Sequence, residues 1–180
     1  MHRRLCVVSA AALALSACAT VPAVQSTTAM ATNHSAADLA GIDRAITDVY
    51  AVISGPAGQA RDFARMRTLF TPDARLSAIT PNGLSGGTVD DYIKRSGATL
   101  VASGFTESEL DRRVEIYGNL AHAWSSYRGT FTGADGSPEE VRGINSFQLV
   151  RQGDGRWLVQ SILWQAETPQ APLPEDMDGN

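Results

Sequence analysis

Few residues in this chain are of types and spacings that do chemistry. Its histidines are His2, His34 and His122 and its cysteines Cys6 and Cys18, a set that suits no zinc cluster. No Ser-His-Asp order, glycine-rich phosphate loop or metal-ligand spacing occurs, and no cofactor is expected. What remains is a polar row cutting through apolar strands. In "RGINSFQLV" (142–150) the alternate residues Gly143, Phe147 and Leu149 form a mostly apolar face, and Asn145 interrupts it. An unpaired buried amide costs about 1–3 kcal/mol, so Asn145 needs partners. The strand register set out below gives it Arg112 and Ser125, with Tyr127 and Trp164 beside them and Tyr50 on the first helix. Such a row could orient a ligand at the floor of a pocket, or it could be a closed structural network. For proton transfer the candidates are Asp73, which follows the second helix, and His122, which falls opposite Glu115 on the other face of the sheet.

The elements that must position these residues follow from hydrophobic period. Leu39, Ile42, Ile46, Val49, Tyr50 and Ile53 recur at helical spacing behind a cap at Ser35 with Asp38, and Gly55-Pro56 stops that helix. Phe63, Met66, Leu69 and Phe70 predict a shorter second helix ending at Pro72. A short strand over 74–79 and the loop "TPNGLSGG" lead to a third helix capped by Thr88. From Phe105 onward the pattern alternates, and strands are predicted over 107–117, 120–131, 140–151 and 156–166.

Turn chemistry sets the register. Gly118-Asn119 as a two-residue turn pairs Tyr117 with Leu120 and places Arg112 opposite Ser125. The loop 132–137 then places Ser125 opposite Asn145, and Asp154-Gly155 brings Asn145 near Trp164 or Ile162. Strict alternation puts Leu110, Arg112, Val114, Leu158, Gln160 and Ile162 on the face toward the helices. It puts Arg113, His122, Trp124, Trp157 and Val159 on the outer face, and leaves no carboxylate or imidazole on the inner one.

Three helices, a short strand and a hairpinned sheet make an α+β domain. With "RDFARMRTLFTPDARL" early and "GINSFQLVRQGDGRWLVQSILW" late, the chain resembles the nuclear-transport-factor-2-like superfamily in its SnoaL-like branch. The resemblance implies a cone-shaped fold with three N-terminal helices packed on a curved, mainly antiparallel sheet, an inner pocket, and a homodimer through the outer sheet face. That superfamily includes ketosteroid isomerase, scytalone dehydratase, polyketide cyclases and limonene epoxide hydrolase beside non-catalytic binders, so fold leaves chemistry open. The expectations are a binding domain for a small, partly apolar molecule, a cofactor-free isomerase, dehydratase or cyclase, or a protein-interaction module.

The ends of the chain add an address. His2, Arg3 and Arg4 precede the apolar run "LCVVSAAALALSA", too short for a comfortable membrane span. It closes on "LSAC", which resembles the lipobox of bacterial lipoproteins and implies cleavage before a lipid-modified Cys18. Residues 1–17 are then a signal peptide, 18–34 a flexible tether, 35–167 the domain and 168–180 a disordered tail rich in proline and acids. Removal of Cys6 with the leader leaves no pair for an intrachain disulfide. Ala19 after the cysteine favours the outer membrane, facing the periplasm. The formal charge of −4 falls further once Arg3 and Arg4 are removed, so neither nucleic acid nor a polybasic lipid patch is expected, and membrane contact runs through the lipid alone.

Overall fold

The computed structural model describes residues 35–179; the leader, Cys18 and the tether lie outside them. Helix α1 (Ala36–Ile53) starts where Ser35 accepts the backbone N–H of Asp38 at 3.0 Å. Its apolar stripe, Ile42, Ile46, Val49 and Ile53, is buried against the sheet. Helix α2 (Phe63–Thr68) is short and is followed by β1 (Phe70–Thr80), β2 (Gly83–Gly87) and α3 (Val89–Ser103), whose Thr88 and Asp91 form a reciprocal cap. Strands β3 (Thr106–Tyr117), β4 (Leu120–Thr132), β5 (Pro138–Arg151) and β6 (Trp157–Ala166) complete one sheet in the order β2-β1-β6-β5-β4-β3. Only β1 and β6 run parallel; the other neighbours are antiparallel. Helices on one face of this mixed, open sheet give the α+β architecture expected.

The region after α2 corrects the sequence reading. Pro72 lies inside β1 rather than ending a helix, and residues 83–87, expected as loop, form a strand paired with β1. The hairpin needs its glycines. Gly83 takes a φ of +102°, and a Cβ on Gly86 would fall 2.0 Å from Ser77 Oγ.

The predicted pairings Tyr117–Leu120, Arg112–Ser125 and Ser125–Asn145 are present, and of the two partners left open for Asn145 the structure takes Trp164. Two bulges break the strict alternation around them. On β3 the pairing moves from Glu109–Tyr127 to Asp111–Ser126, leaving Leu110 as the extra residue. The phase inverts there, so Arg112 faces the helices, and before the bulge Glu109 and Glu107 do so instead of Leu110. On β6 the pairing moves from Gln148–Ser161 to Leu149–Val159, with Gln160 extra. Trp157 and Val159 therefore point inward and are buried, and Leu158 and Gln160 do not occupy the core. The indole of Trp157 lies so close under α1 that a Cβ on Gly41 would meet it at 2.7 Å.

The chain beyond Glu167, expected to fray, folds back over the outer face of the sheet. The backbone N–H of Leu173 donates to the Glu167 carboxylate at 2.9 Å, Asp176 pairs with Arg113, and Met177 in a short 3-10 turn (Glu175–Met177) is fully buried. A single deeply buried methionine outweighs the tail's proline and acid content.

Candidate functional site

Between α1, α3 and the inner sheet face lies a cavity of about 450 Å³. Its depth is apolar, set by Ile53, Met66, Leu76, Leu100 and Phe147, and Ile79 and Pro81 stand exposed where it meets solvent. A few polar groups project into it: Tyr50 from α1, Tyr92 and Ser96 from α3, Glu107 from β3, Tyr127 from β4 and Asn145 from β5. Among the described residues no lysine, arginine or histidine lines it.

Glu107 is the group that sets the chemistry. The bulge at Leu110 turns it inward, and it keeps some accessible surface in the cavity. Burial pushes its carboxyl up to about 7, partly opposed by an amide N–H from Asn145, whose Nδ2 donates to Oε1 at 3.0 Å. The hydroxyls of Tyr92 and Tyr127 have no hydrogen-bond partner among the described residues. Burial, and then the Glu107 charge, push both phenols well above their ordinary range, so they remain O–H donors. Tyr92 also packs edge-on against Trp164, ring centres 6.1 Å apart.

A second polar cluster adjoins this one away from the cavity. Asn145 Nδ2 is 3.1 Å from the Tyr50 hydroxyl, which is 2.7 Å from Ser125 Oγ, and Ser125 Oγ donates to Glu109 at 2.6 Å. Arg112 grips Glu109 through Nε at 2.6 Å and through a second nitrogen, and reaches Asp43 of α1 at 3.4 Å.

No family model and no curated protein matches the sequence, but solved structures do match the fold. A nuclear transport factor 2-like superfamily protein of Salmonella enterica superposes with a TM-score of 0.54 at 17% identity, over 77% of this chain and 93% of that one. A scytalone dehydratase-like protein of Novosphingobium aromaticivorans gives 0.58 at 15% identity, over 73% and 85%. A calcium/calmodulin-dependent protein kinase II association domain-like protein of Xanthomonas campestris gives 0.56 at 18%, over 72% and 86%. The chain has a nuclear-transport-factor-2-like fold.

Within this NTF2-like fold the residues singled out from sequence separate into groups. Tyr50, Tyr127, Asn145 and Trp164 line the cavity. Ser125 is fully buried beneath Tyr50, and Arg112 sits at the end of the row, engaged by Glu109 and Asp43 rather than facing the cavity. Asp73 is exposed on β1, where its backbone carbonyl accepts from Gln160 Nε2 at 3.5 Å. His122 lies on the outer face, 3.1 Å from Ser146 Oγ and edge-on to Trp124. Neither approaches the cavity. Strict alternation in "ESELDR" missed Glu107 and Glu109, because it puts Leu110 inward. The available signal was chemical: two acids with strand spacing just ahead of an inward arginine. Tyr92 lies within α3, and nothing in its sequence setting marks it for the cavity.

Proposed function

We propose that this protein is a cofactor-free acid–base catalyst for a small, uncharged, largely apolar molecule bearing a carbonyl group. The observation that carries the proposal is the Glu107 carboxyl opening into an apolar cavity, with a pKa raised to about 7. A carboxylate poised near neutrality takes and returns protons efficiently at physiological pH. The cavity volume is in the range of small-molecule sites. With no cation lining it, an anionic ligand would bring its charge beside Glu107 uncompensated, so the favoured ligand is neutral.

In this reading Glu107 removes a proton from the carbon next to the carbonyl. The electron pair of that C–H bond moves into the developing enolate, and Tyr92 and Tyr127 donate to its oxygen. Return of the proton from Glu107 to a different carbon isomerises the substrate. Its delivery to a departing hydroxyl releases water instead. The scytalone-dehydratase-like structural neighbour is compatible with the second outcome, and the lipid anchor inferred at Cys18 would place the reaction at the bacterial envelope.

The test is deuterium exchange. Protein is incubated in D2O with 2-cyclohexenone, and deuterium entering the carbon skeleton is read by mass spectrometry. Saturable exchange that rises with pH through a midpoint near 7 and disappears in Glu107→Gln is expected. Equal exchange by wild type and Glu107→Gln would remove the catalytic role. Protection of the cavity by the ketone without exchange would leave a binding domain.

A further inference from the structure

The cluster behind the cavity has a direction. Ser125 has one hydroxyl proton, and that proton goes to Glu109, which Arg112 holds as an acceptor. Ser125 can then only accept from Tyr50, so the Tyr50 proton points away from the cavity. With its proton committed, the Tyr50 oxygen can only accept, and the group facing it is the Asn145 amide nitrogen. The same nitrogen carries the second N–H, which donates to Glu107. Every link is a donor followed by an acceptor, from Asn145 to the Arg112–Glu109 pair.

We propose that Glu109, Ser125 and Tyr50 are positioning residues, a one-way hydrogen-bond relay that fixes the Asn145 amide with its nitrogen toward Glu107. The proposal rests on the reading of Glu107 as the proton-exchanging group and assigns a task to residues that do not touch a ligand. An amide without this relay can turn over and present its oxygen. The oxygen would repel the Glu107 carboxylate and accept a hydrogen bond from the protonated acid, so the flipped amide favours the acid form. The relay therefore holds the ionised, proton-accepting form of Glu107 within reach of neutral pH against the opposing effect of burial. The titratable groups facing Glu107 from the elements packed on it are Tyr50 of α1, Tyr92 of α3 and Tyr127 of β4, with Glu109 further along its own strand. The relay ends on the Arg112 cation through Glu109, and Arg95 stands 6.0 Å over the Tyr92 ring.

The experiment is a carboxyl 13C NMR titration of the full chain labelled at glutamate, comparing wild type, Tyr50→Phe and Ser125→Ala. Both variants are expected to move the Glu107 midpoint upward by about one pH unit, a tenfold change in the ratio of acid to carboxylate. Ser126→Ala, which alters the neighbouring buried serine on the opposite face, should leave it in place. An unmoved midpoint in folded Tyr50→Phe overturns the proposal. That variant removes a single oxygen and decides the matter alone if Ser125→Ala loses its native spectrum. The two readings fail separately. Absent ketone exchange with a moved midpoint sinks the reaction and keeps the relay, and exchange with an unmoved midpoint does the reverse.

Discussion

Glu107 and Asn145 lie on strands that are not neighbours, yet their side chains meet at 3.0 Å across the intervening strand. The β4 residue in register with Glu107 is Gly129, where a Cβ would meet the Phe105 ring at 2.9 Å. The Glu107–Asn145 contact joins the cavity to the buried polar row. Asn145 therefore belongs to the cavity wall and to a buried hydrogen-bond network at once.

Stability should fall with rising pH because of Glu107. Its folded pKa of about 7 lies above the ordinary 4.5, so between those values the folded state holds a proton that the unfolded state has released. Stability from this group is full below about pH 4.5 and declines as pH rises through 7, by up to about 1.4 kcal/mol per pH unit. Urea denaturation of wild type at intervals across that window should show the decline. In Glu107→Gln that slope should be absent and the protein more stable than wild type at pH 8. Parallel profiles for the two proteins would show that Glu107 titrates normally.

Arg61 should be among the most sensitive positions in the domain. Nε donates to the Ile53 carbonyl and one terminal nitrogen to that of Leu100, both at 2.9 Å, and further bonds reach Gly55, Pro56, Gln59 and Phe105. The guanidinium thus satisfies carbonyls at the ends of α1 and α3 and at the start of β3, behind the cavity wall. A Cβ on Gly55 would meet this side chain at 2.8 Å, which explains the glycine. Arg61→Met should cost about 3 kcal/mol or more in denaturation, since several buried carbonyls lose their donor together. A loss below about 1 kcal/mol would mean that water replaces the arginine.

The folded-back C-terminus bears on self-association. Trp124 and Leu163 remain partly exposed on the outer sheet face beside a groove of about 290 Å³ walled by Ala171–Pro174. Trp157, on sequence grounds part of that face, is buried beneath α1 and contributes nothing to it. We expect sedimentation of residues 35–180 to show a dimer that Trp124→Arg weakens. Truncation after Glu167 should destabilise the monomer by removing Met177. A strict monomer at high concentration would remove the dimer.

The sheet register was legible because Gly118-Asn119 fixes the β3–β4 hairpin and the loop 132–137 sets β4 against β5, and the pairings follow by counting until a bulge intervenes. The faces were legible only up to the two bulges. An extra residue in a strand leaves no mark on hydrophobic alternation when, as at Leu110, the displaced residue is itself apolar. The inward acids went unseen for that reason. Arg61 was illegible for another: its partners are backbone carbonyls, which every residue carries. Met177 was hidden among prolines and acids that dominate a composition reading without deciding burial.

The position of Trp157 has one more consequence. The N-terminal half of α1 lies over the start of β6, where Gly41 meets Trp157 and Asp38 pairs with Arg151 at 3.5 Å. The exposed lining residues Ile79 and Pro81 stand at the other end of the strands, where Ile79 pairs with Gln165. Eight strand steps from Trp157 to Gln165, at ~3.3 Å each, separate the two ends by roughly 26 Å. A domain drawn toward a bilayer through Ser35 would turn its closed end to the lipid and its opening to the aqueous phase. Its ligand would then arrive from solution, and a molecule dissolved in the membrane would have to leave it first.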